Sequence, residues 1–191
     1  MKKLNLLLTL FIGLSILSCS SDDDNTTEEN PEINSKFTIS GTEYTTPNGY
    51  IISYFDGVNN SSHAIYLLNG TIINNEWYGE ACDYTSNLTQ GVIFNIGSTS
   101  ITELESGTYN YELMSSEPSL NETSISTNIV VTDNCVVSAD SIDENQMTSG
   151  NLIVEKSGNI YTLTFTFQTN DFGTVSGQYI GELELVQDLS D

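Results

Sequence analysis

Alternation of apolar and polar residues is the dominant pattern of the chain from residue 36 onward. It is most regular over Ile160–Gln168, where apolar residues at 161, 163, 165 and 167 alternate with Thr162, Thr164 and Thr166. A period of two places successive side chains on opposite faces of a β-strand, so this segment is predicted to be a strand with one buried face. No segment of this region shows the period of an amphipathic helix.

About ten strands are predicted in this way, most of them bounded by residues that favour turns. They cover residues 37–39, 43–46, 50–55, 64–68, 92–96, 108–114, 128–132, 136–137, 151–156, 160–168 and 174–187. The turns are expected at Ser40-Gly41, Asp56-Gly57, Asn69-Gly70, Ser157-Gly158 and Asp171-Phe172-Gly173. The pattern predicts an all-β fold, an antiparallel β-sandwich or barrel with meander hairpins.

The last predicted strand, Thr174–Gln187, carries two glycines on its apolar face. The residues sharing that face are Val175, Gly177, Tyr179, Gly181, Leu183 and Leu185. Because glycine inside a strand marks a bend or a close approach of another backbone, we expect strong curvature here or close packing of a facing sheet.

The N-terminus has the pattern of an export signal. Lys2 and Lys3 precede an apolar run at residues 4–17, which is too short to span a bilayer comfortably and is typical of a signal peptide. The run ends in Ile16-Leu17-Ser18-Cys19, which resembles the lipobox of bacterial lipoproteins. That resemblance implies removal of residues 1–18 and lipidation of Cys19, and two or three acyl chains anchor a protein stably.

Two further segments resemble lipoproteins of the Bacteroidota. Ser20-Ser21-Asp22-Asp23-Asp24 resembles their surface-export signal, although these aspartates could also simply solvate a linker. The Gly-x-Tyr-x-Gly-x-Leu pattern from Gly177 to Leu183 resembles the ending of small lipoproteins that share no common activity. The resemblance implies a protein anchored in the outer membrane and facing the extracellular side.

The organisation that follows has three parts. Residues 1–18 are the signal peptide, and residues 19–35 are the lipidated cysteine with an acidic flexible tether that has too little apolar surface to fold. Residues 36–191 are expected to form a single all-β domain.

Charge restricts the partners of this domain. The chain has 26 acidic residues, four lysines and no arginine, and loss of Lys2 and Lys3 with the signal peptide takes its net charge from −22 to −24. Nucleic-acid binding requires cationic side chains and is excluded. Direct electrostatic attachment to anionic lipid is excluded for the same reason, so the membrane is contacted through the lipid anchor.

Cys82 and Cys135 are the cysteines left after lipidation. In an oxidising compartment we expect them to form a disulfide. By closing the loop between them, this bond would stabilise the fold by roughly 4 kcal/mol. The bond would attach the irregular segment 74–88 to the strand near Val136. Two thiols with no histidine nearby do not predict a metal site.

An aromatic-rich irregular stretch is the candidate ligand site. Trp77, Tyr78 and Tyr84 could stack on sugar rings, while Asp83 and its neighbours accept hydrogen bonds from hydroxyl groups. The alternative is that the lone tryptophan closes one end of the sandwich core. His63, the sole histidine, follows a polar run and is expected to be an exposed loop residue.

Carboxylate pairs raise the question of a glycan-active hydrolase, which needs two acids about 5–10 Å apart. Glu182 and Glu184 are expected to be solvated, and Glu80 with Asp83 lies nearer the aromatic stretch. Two acidic groups were considered for calcium, namely Asp56/Asn59/Asn60 and Asp140/Asp143/Glu144, but neither has the spacing of a calcium loop. No metal or cofactor is predicted.

Asp140-Ser141-Ile142 resembles the O-glycosylation acceptor of exported Bacteroidota proteins, which makes Ser141 a candidate for modification in a loop.

Taken together, the pattern favours a non-catalytic surface lipoprotein that acts as a binding module or as an accessory subunit of an outer-membrane assembly. Glycan binding through Trp77 is the first alternative, and a hydrolase that uses paired carboxylates is the second.

Overall fold

The computed structural model describes residues 35–55, 61–74, 81–98, 100, 103–111 and 119–189. These residues form 12 strands in two six-stranded sheets, and they include no helix. Accordingly, no helix among them is long and apolar enough to cross a membrane. The strands are β1 (Lys36–Ile39), β2 (Thr42–Thr45), β3 (Asn48–Phe55), β4 (Ser61–Leu68), β5 (Gly91–Ser98), β6 (Gly107–Asn110), β7 (Ser119–Thr132), β8 (Cys135–Ile142), β9 (Met147–Ser157), β10 (Ile160–Thr169), β11 (Gly173–Gly181) and β12 (Glu184–Leu189).

The two sheets pack face to face as a sandwich, so the prediction of an all-β fold is confirmed. The first sheet has the order β2-β1-β11-β10-β9-β6 and the second has the order β12-β3-β4-β5-β7-β8. Neighbouring strands are antiparallel throughout, except that β12 runs parallel to β3.

The core between the sheets is built from the inward-facing residues of both. Phe165 and Phe167 of β10 are buried, as the alternation predicted, and Phe165 meets Phe94 of the second sheet edge to face at 5.1 Å between ring centroids. Leu163 and Tyr161 are buried on the same side of β10. Aromatic pairs in this arrangement add to the free energy that comes from removing apolar surface from water.

Three of the predicted hairpin turns are present. Ser40-Gly41 joins β1 to β2. The other two turns lie one residue from their predicted positions, because Gly158-Asn159 joins β9 to β10 and Asn170-Asp171-Phe172 joins β10 to β11. A fourth turn, Asp133-Asn134 between β7 and β8, was missed. Both of its residues have positive φ, 51° and 64°, a conformation that Asp and Asn tolerate better than most residues.

The prediction of one strand over residues 174–187 is wrong. The chain leaves the first sheet after Gly181 and enters the second at Glu184, where it pairs with β3. Because the chain changes sheets between Gly181 and Glu184, the side chains that face the interior no longer follow the order of β11. Leu185, placed on the apolar face by the prediction, is 56% exposed, and Val186 is buried instead.

Gly177 lies where close packing was predicted, although the crowding comes from strands of its own sheet. A Cβ atom at this position would lie 2.4 Å from Cζ of Phe165 and 2.7 Å from the carbonyl oxygen of Lys36. Both residues belong to the strands that flank β11. No side chain larger than hydrogen fits here without displacing the core.

Several element ends differ from the sequence prediction. β7 has 14 residues and β8 has eight, against the shorter stretches 128–132 and 136–137 that were expected. β6 ends at Asn110, and residues 112–118 of the predicted strand lie outside the described residues. Ser35, placed in the flexible tether, is buried and accepts a hydrogen bond from the backbone N–H of Ile180 at 3.1 Å.

We predict that Gly177→Ala lowers the free energy of unfolding by about 1–3 kcal/mol, because the added methyl group must displace Phe165 or the β1 backbone. Gly107→Ala is the matched control, since the nearest atom to its Cβ position is 4.0 Å away. That variant should stay within about 0.5 kcal/mol of wild type in urea unfolding. Equal effects of the two substitutions would contradict the packing described for β11.

Candidate functional site

The second sheet is apolar on both faces. Residues of β3 and β4 that alternate with those of the main core form a second buried cluster, which includes Tyr50, Ile52, Tyr66 and Leu68. Side chains of this kind on the outer face of a sandwich require a cover, because exposing them to water would cost free energy.

The cover is provided by residues 69–90, here called the cover segment, of which residues 69–74 and 81–90 are described. Its two ends are joined by Asn69, whose Oδ1 accepts hydrogen bonds from the backbone N–H groups of Thr89 at 2.8 Å and Gln90 at 2.9 Å. Gly70 faces Leu88 so closely that a Cβ atom would lie 2.8 Å from its Cα. Asn69 and Gly70 therefore hold the beginning of the cover segment against its end. The prediction of a hairpin turn at this pair is wrong.

The middle of the cover segment is also closed on itself. The backbone N–H of Ile73 donates to the carbonyl oxygen of Asp83 at 2.9 Å, and the amide of Asn74 donates to the Asp83 carboxylate at 3.2 Å. These bonds hold Ile73 and Asn74 next to Asp83. Trp77 and Tyr78, the predicted sugar-stacking residues, lie outside the described residues, as does Glu80.

A disulfide joins the cover segment to the β7–β8 hairpin, and the predicted Cys82–Cys135 pairing is confirmed. Two backbone hydrogen bonds flank it, from Tyr84 N–H to the Asn134 carbonyl at 3.0 Å and from Val136 N–H to the Ala81 carbonyl at 2.7 Å. The bond links residues 53 positions apart, which corresponds to about 4 kcal/mol in the chain-entropy description. The position of the cover over the sheet is thereby fixed.

Between the cover segment and the sheet lies a cavity of about 300 Å³, here called the outer cleft. Its walls include Tyr66, Tyr84, Ile93, Ser126, Ala139 and Ser141. Tyr84 is buried and forms part of the wall, so the predicted role of an exposed stacking platform is wrong for this residue.

Ser141 lines the outer cleft and lies in strand β8 rather than in the loop that was predicted. Its hydroxyl lies 2.8 Å from that of Ser126 on β7, and the residue is exposed. Its predicted modification stays a prediction.

The outer cleft carries no charge among the described residues that line it. Burial raises the pKa of Tyr66 to about 12, and burial also raises the pKa of Tyr84, so both phenols stay protonated at physiological pH. The two described lysines are each paired with a glutamate at 2.6 Å, Lys36 with Glu43 and Lys156 with Glu103. Neither lysine lines the cleft.

A second cavity of about 530 Å³ lies on the opposite side of β8 and is here called the hairpin cleft. It opens between the β7–β8 hairpin and the turns of the first sheet. Its walls include Tyr44, Ile125, Asp140, Ile142 and Phe172. Ala139 and Ser141 line both clefts, which makes β8 the element that separates them.

His63 is buried in β4, so the prediction of an exposed loop histidine is wrong. The strand begins at Ser61, and His63 takes the inward-facing position that it shares with Ile65 and Leu67. Its Nδ1 lies 3.0 Å from Oγ of Ser53, while Nε2 has no hydrogen-bond partner among the described residues. His63 directly precedes the apolar run Ala64–Leu68, and this adjacency was the signal that could have placed it in the strand.

The acidic residues considered as hydrolase pairs or calcium ligands lie partly outside the described residues, Glu80 and Asp56 among them. Glu182 and Glu184 are exposed, as expected. Among the described residues, no group of three or more His, Cys, Asp or Glu side chains could hold a metal ion. That statement covers Asp140, Asp143 and Glu144, whereas Asp56, Asn59 and Asn60 lie outside the described residues.

Comparison of the chain with protein-family models, with curated proteins and with solved structures finds no match. Function is therefore inferred from the geometry and charge of the described residues.

We predict that His63 makes folding less favourable at mildly acidic pH. Burial lowers its pKa below the usual 6.5, and the nearby backbone of Ser100 and Glu103 and the charge of Glu105 offset only part of this effect. The unfolded chain therefore binds the proton first, so stability is complete above about pH 6.5 and falls as the pH drops below it. One proton limits this slope to about 1.4 kcal/mol per pH unit.

Urea unfolding of wild type and His63→Asn between about pH 7 and pH 5 isolates the effect, because the carboxylates are common to both proteins. The asparagine side chain can keep a hydrogen bond to Ser53 but does not titrate in this range. The stability advantage of wild type over the variant should shrink as the pH falls. Parallel pH profiles would show that His63 titrates normally.

Proposed function

We propose that this protein is a non-catalytic binding module that is tethered to the outer membrane by lipid on Cys19 and faces the extracellular medium. The outer cleft is its ligand site, either for a free ligand or for a partner in an outer-membrane assembly. The Cys82–Cys135 disulfide supports the compartment, because disulfides persist in oxidising environments outside the cytoplasm.

The outer cleft is the observation that carries the proposal. It is concave and mostly apolar, with a few hydroxyl groups at its rim, which is the usual composition of a ligand site. Its volume is at the lower end of the range for such sites, roughly 300–1,000 Å³. The disulfide and the Asn69 hydrogen bonds hold one wall in place before any ligand arrives, which reduces the entropy lost on binding.

The charges favour a neutral or cationic ligand. An anionic group would enter a protein of net charge −22, in a cleft whose described walls provide no cation. Lys36 and Lys156 are already paired with glutamates. Phosphorylated, sulfated and uronic-acid ligands are therefore disfavoured.

We predict that Cys19→Ser releases the protein from the membrane fraction and abolishes palmitate labelling, because the lipid is the proposed anchor. Proteinase added to intact cells should digest the wild-type protein, while a periplasmic protein in the same cells stays intact. A serine variant that remains fully in the membrane fraction would contradict the anchor. Protection of wild type from proteinase would contradict the surface location alone.

Glycan binding is the second candidate function. Ser126 and Ser141 place two hydroxyl groups 2.8 Å apart beside an apolar wall, an arrangement that suits the hydroxyl edge and the C–H face of a sugar ring. Ile73 and Asn74 are hydrogen-bonded to Asp83 in the same segment of the chain as Trp77, which itself lies outside the described residues.

Because Trp77 is the only tryptophan, its fluorescence reports on this segment alone. We predict that a neutral oligosaccharide changes the emission of wild type, whereas a uronic-acid oligosaccharide of equal length does not. Ser126→Val should weaken the response to the neutral sugar by about tenfold, since one hydroxyl partner of the sugar is lost. An emission spectrum that is unresponsive to both sugars would favour a core position for Trp77.

A further inference from the structure

Strand β8 forms one edge of the second sheet, and the described residues leave most of that edge open. It pairs with β7 on one side. On the other side, the described part of the cover segment is bonded to the beginning of β8, through the Cys82–Cys135 disulfide and the hydrogen bond from the Val136 N–H to the Ala81 carbonyl. No described strand pairs with the far side of residues 137–142.

This edge lacks two of the features that usually prevent pairing with other chains, although its pairing with β7 is interrupted by a bulge at Val137. Protective edges are short or carry lysine or proline, whereas β8 has eight residues and neither residue type. Val137 on it is 60% exposed. The single charged residue of the strand is Asp140. Its carboxylate accepts a hydrogen bond at 2.8 Å from the side chain of Asn128 on β7, the neighbouring strand of the same sheet.

A cleft lies on each side of this strand. The outer cleft lies on one face of β8 and the hairpin cleft on the other, and Ala139 and Ser141 border both. Side chains of an added strand would point alternately to the two faces of the sheet. Successive residues of such a strand would therefore enter the outer cleft and the hairpin cleft in turn.

We propose that β8 is a docking edge that accepts an extended segment of a partner protein as an additional strand. The inference rests on the proposed function as a binding module and specifies its partner. Backbone hydrogen bonds to residues 137–142 supply affinity, and the two clefts select side chains at alternate positions. The docked segment carries small apolar residues, with lysine or arginine among them.

Charge distinguishes this partner from a second copy of the chain. Two copies would each carry a net charge of −22 and would bring their Asp140 residues to the same short edge. A basic segment instead gains from the acidic surface, because the two described lysines, Lys36 and Lys156, are already paired with glutamates.

The test is selection of a random displayed-peptide library on the full protein in detergent solution, whether or not Cys19 carries lipid. Enriched peptides should alternate in apolar character, contain lysine or arginine, and slow amide hydrogen exchange of residues 137–142. Val137→Lys should weaken their binding by at least about tenfold, because a lysine on the edge opposes strand addition. Ile180→Lys, a similar change at a 41% exposed isoleucine on the first sheet, should leave binding within about twofold.

Three results would overturn the proposal. The first is no enrichment, and the second is enrichment of peptides that bind Val137→Lys as well as wild type. The third is protection, in the protein alone, of those amides of residues 137–142 that do not bond to β7. If that protection rises with protein concentration, the occupant is a second copy, and if it is lost on deleting residues 20–34, the occupant is the tether. All readouts are made in solution, so failure of the Cys19 anchor would not affect them.

Discussion

Strands β3 and β4 carry apolar side chains at successive positions, so burying one face of the second sheet leaves the other face in need of a cover. Ile51 and Ile65 enter the main core, while Tyr50 and Tyr66 point away from it and are buried as well. The cover segment, residues 69–90, satisfies this requirement. It has no regular strand of its own among the described residues, and it is attached instead by Asn69 at its base and by the disulfide at Cys135. The outer cleft lies where the described residues of this cover leave part of β5, β7 and β8 open.

The regular part of the fold could be predicted because it repeats one physical pattern. β10 was found correctly since every second residue is large and apolar and a turn bounds each end. β7 was largely missed because polar Thr123 and Thr127 occupy buried positions and a bulge near Asn128 interrupts the alternation. The crossing after Gly181 is equally hidden, since Leu183 and Leu185 continue the alternation of β11 although the chain has left that sheet.

The site was less accessible to sequence reasoning than the fold. The pairing of Cys82 with Cys135 could be predicted from the expected compartment and the number of cysteines. That the bond holds a cover over the second sheet could not be predicted. One signal was present, namely the uninterrupted apolar runs Tyr50-Ile51-Ile52 and Ala64–Leu68, which are typical of a strand buried on both faces. Those runs indicate that something covers the sheet. They do not indicate which segment does so, because that depends on contacts between residues far apart in sequence, such as Asn69 with Thr89 and Cys82 with Cys135.

The cover also determines how much of β8 stays open. The carbonyl oxygen of Ala81 accepts a hydrogen bond from the N–H of Val136, and Cys135 forms the disulfide. Among the described residues, strand addition is therefore blocked at the beginning of β8 and open from Val137 onward. The same contacts hold the wall of the outer cleft, which is where alternate residues of an added strand would enter. A small ligand in the outer cleft and a strand on the edge would therefore compete for Ala139 and Ser141. Free-ligand binding and partner docking are consequently expected to exclude each other, since both use the surface that the disulfide leaves uncovered.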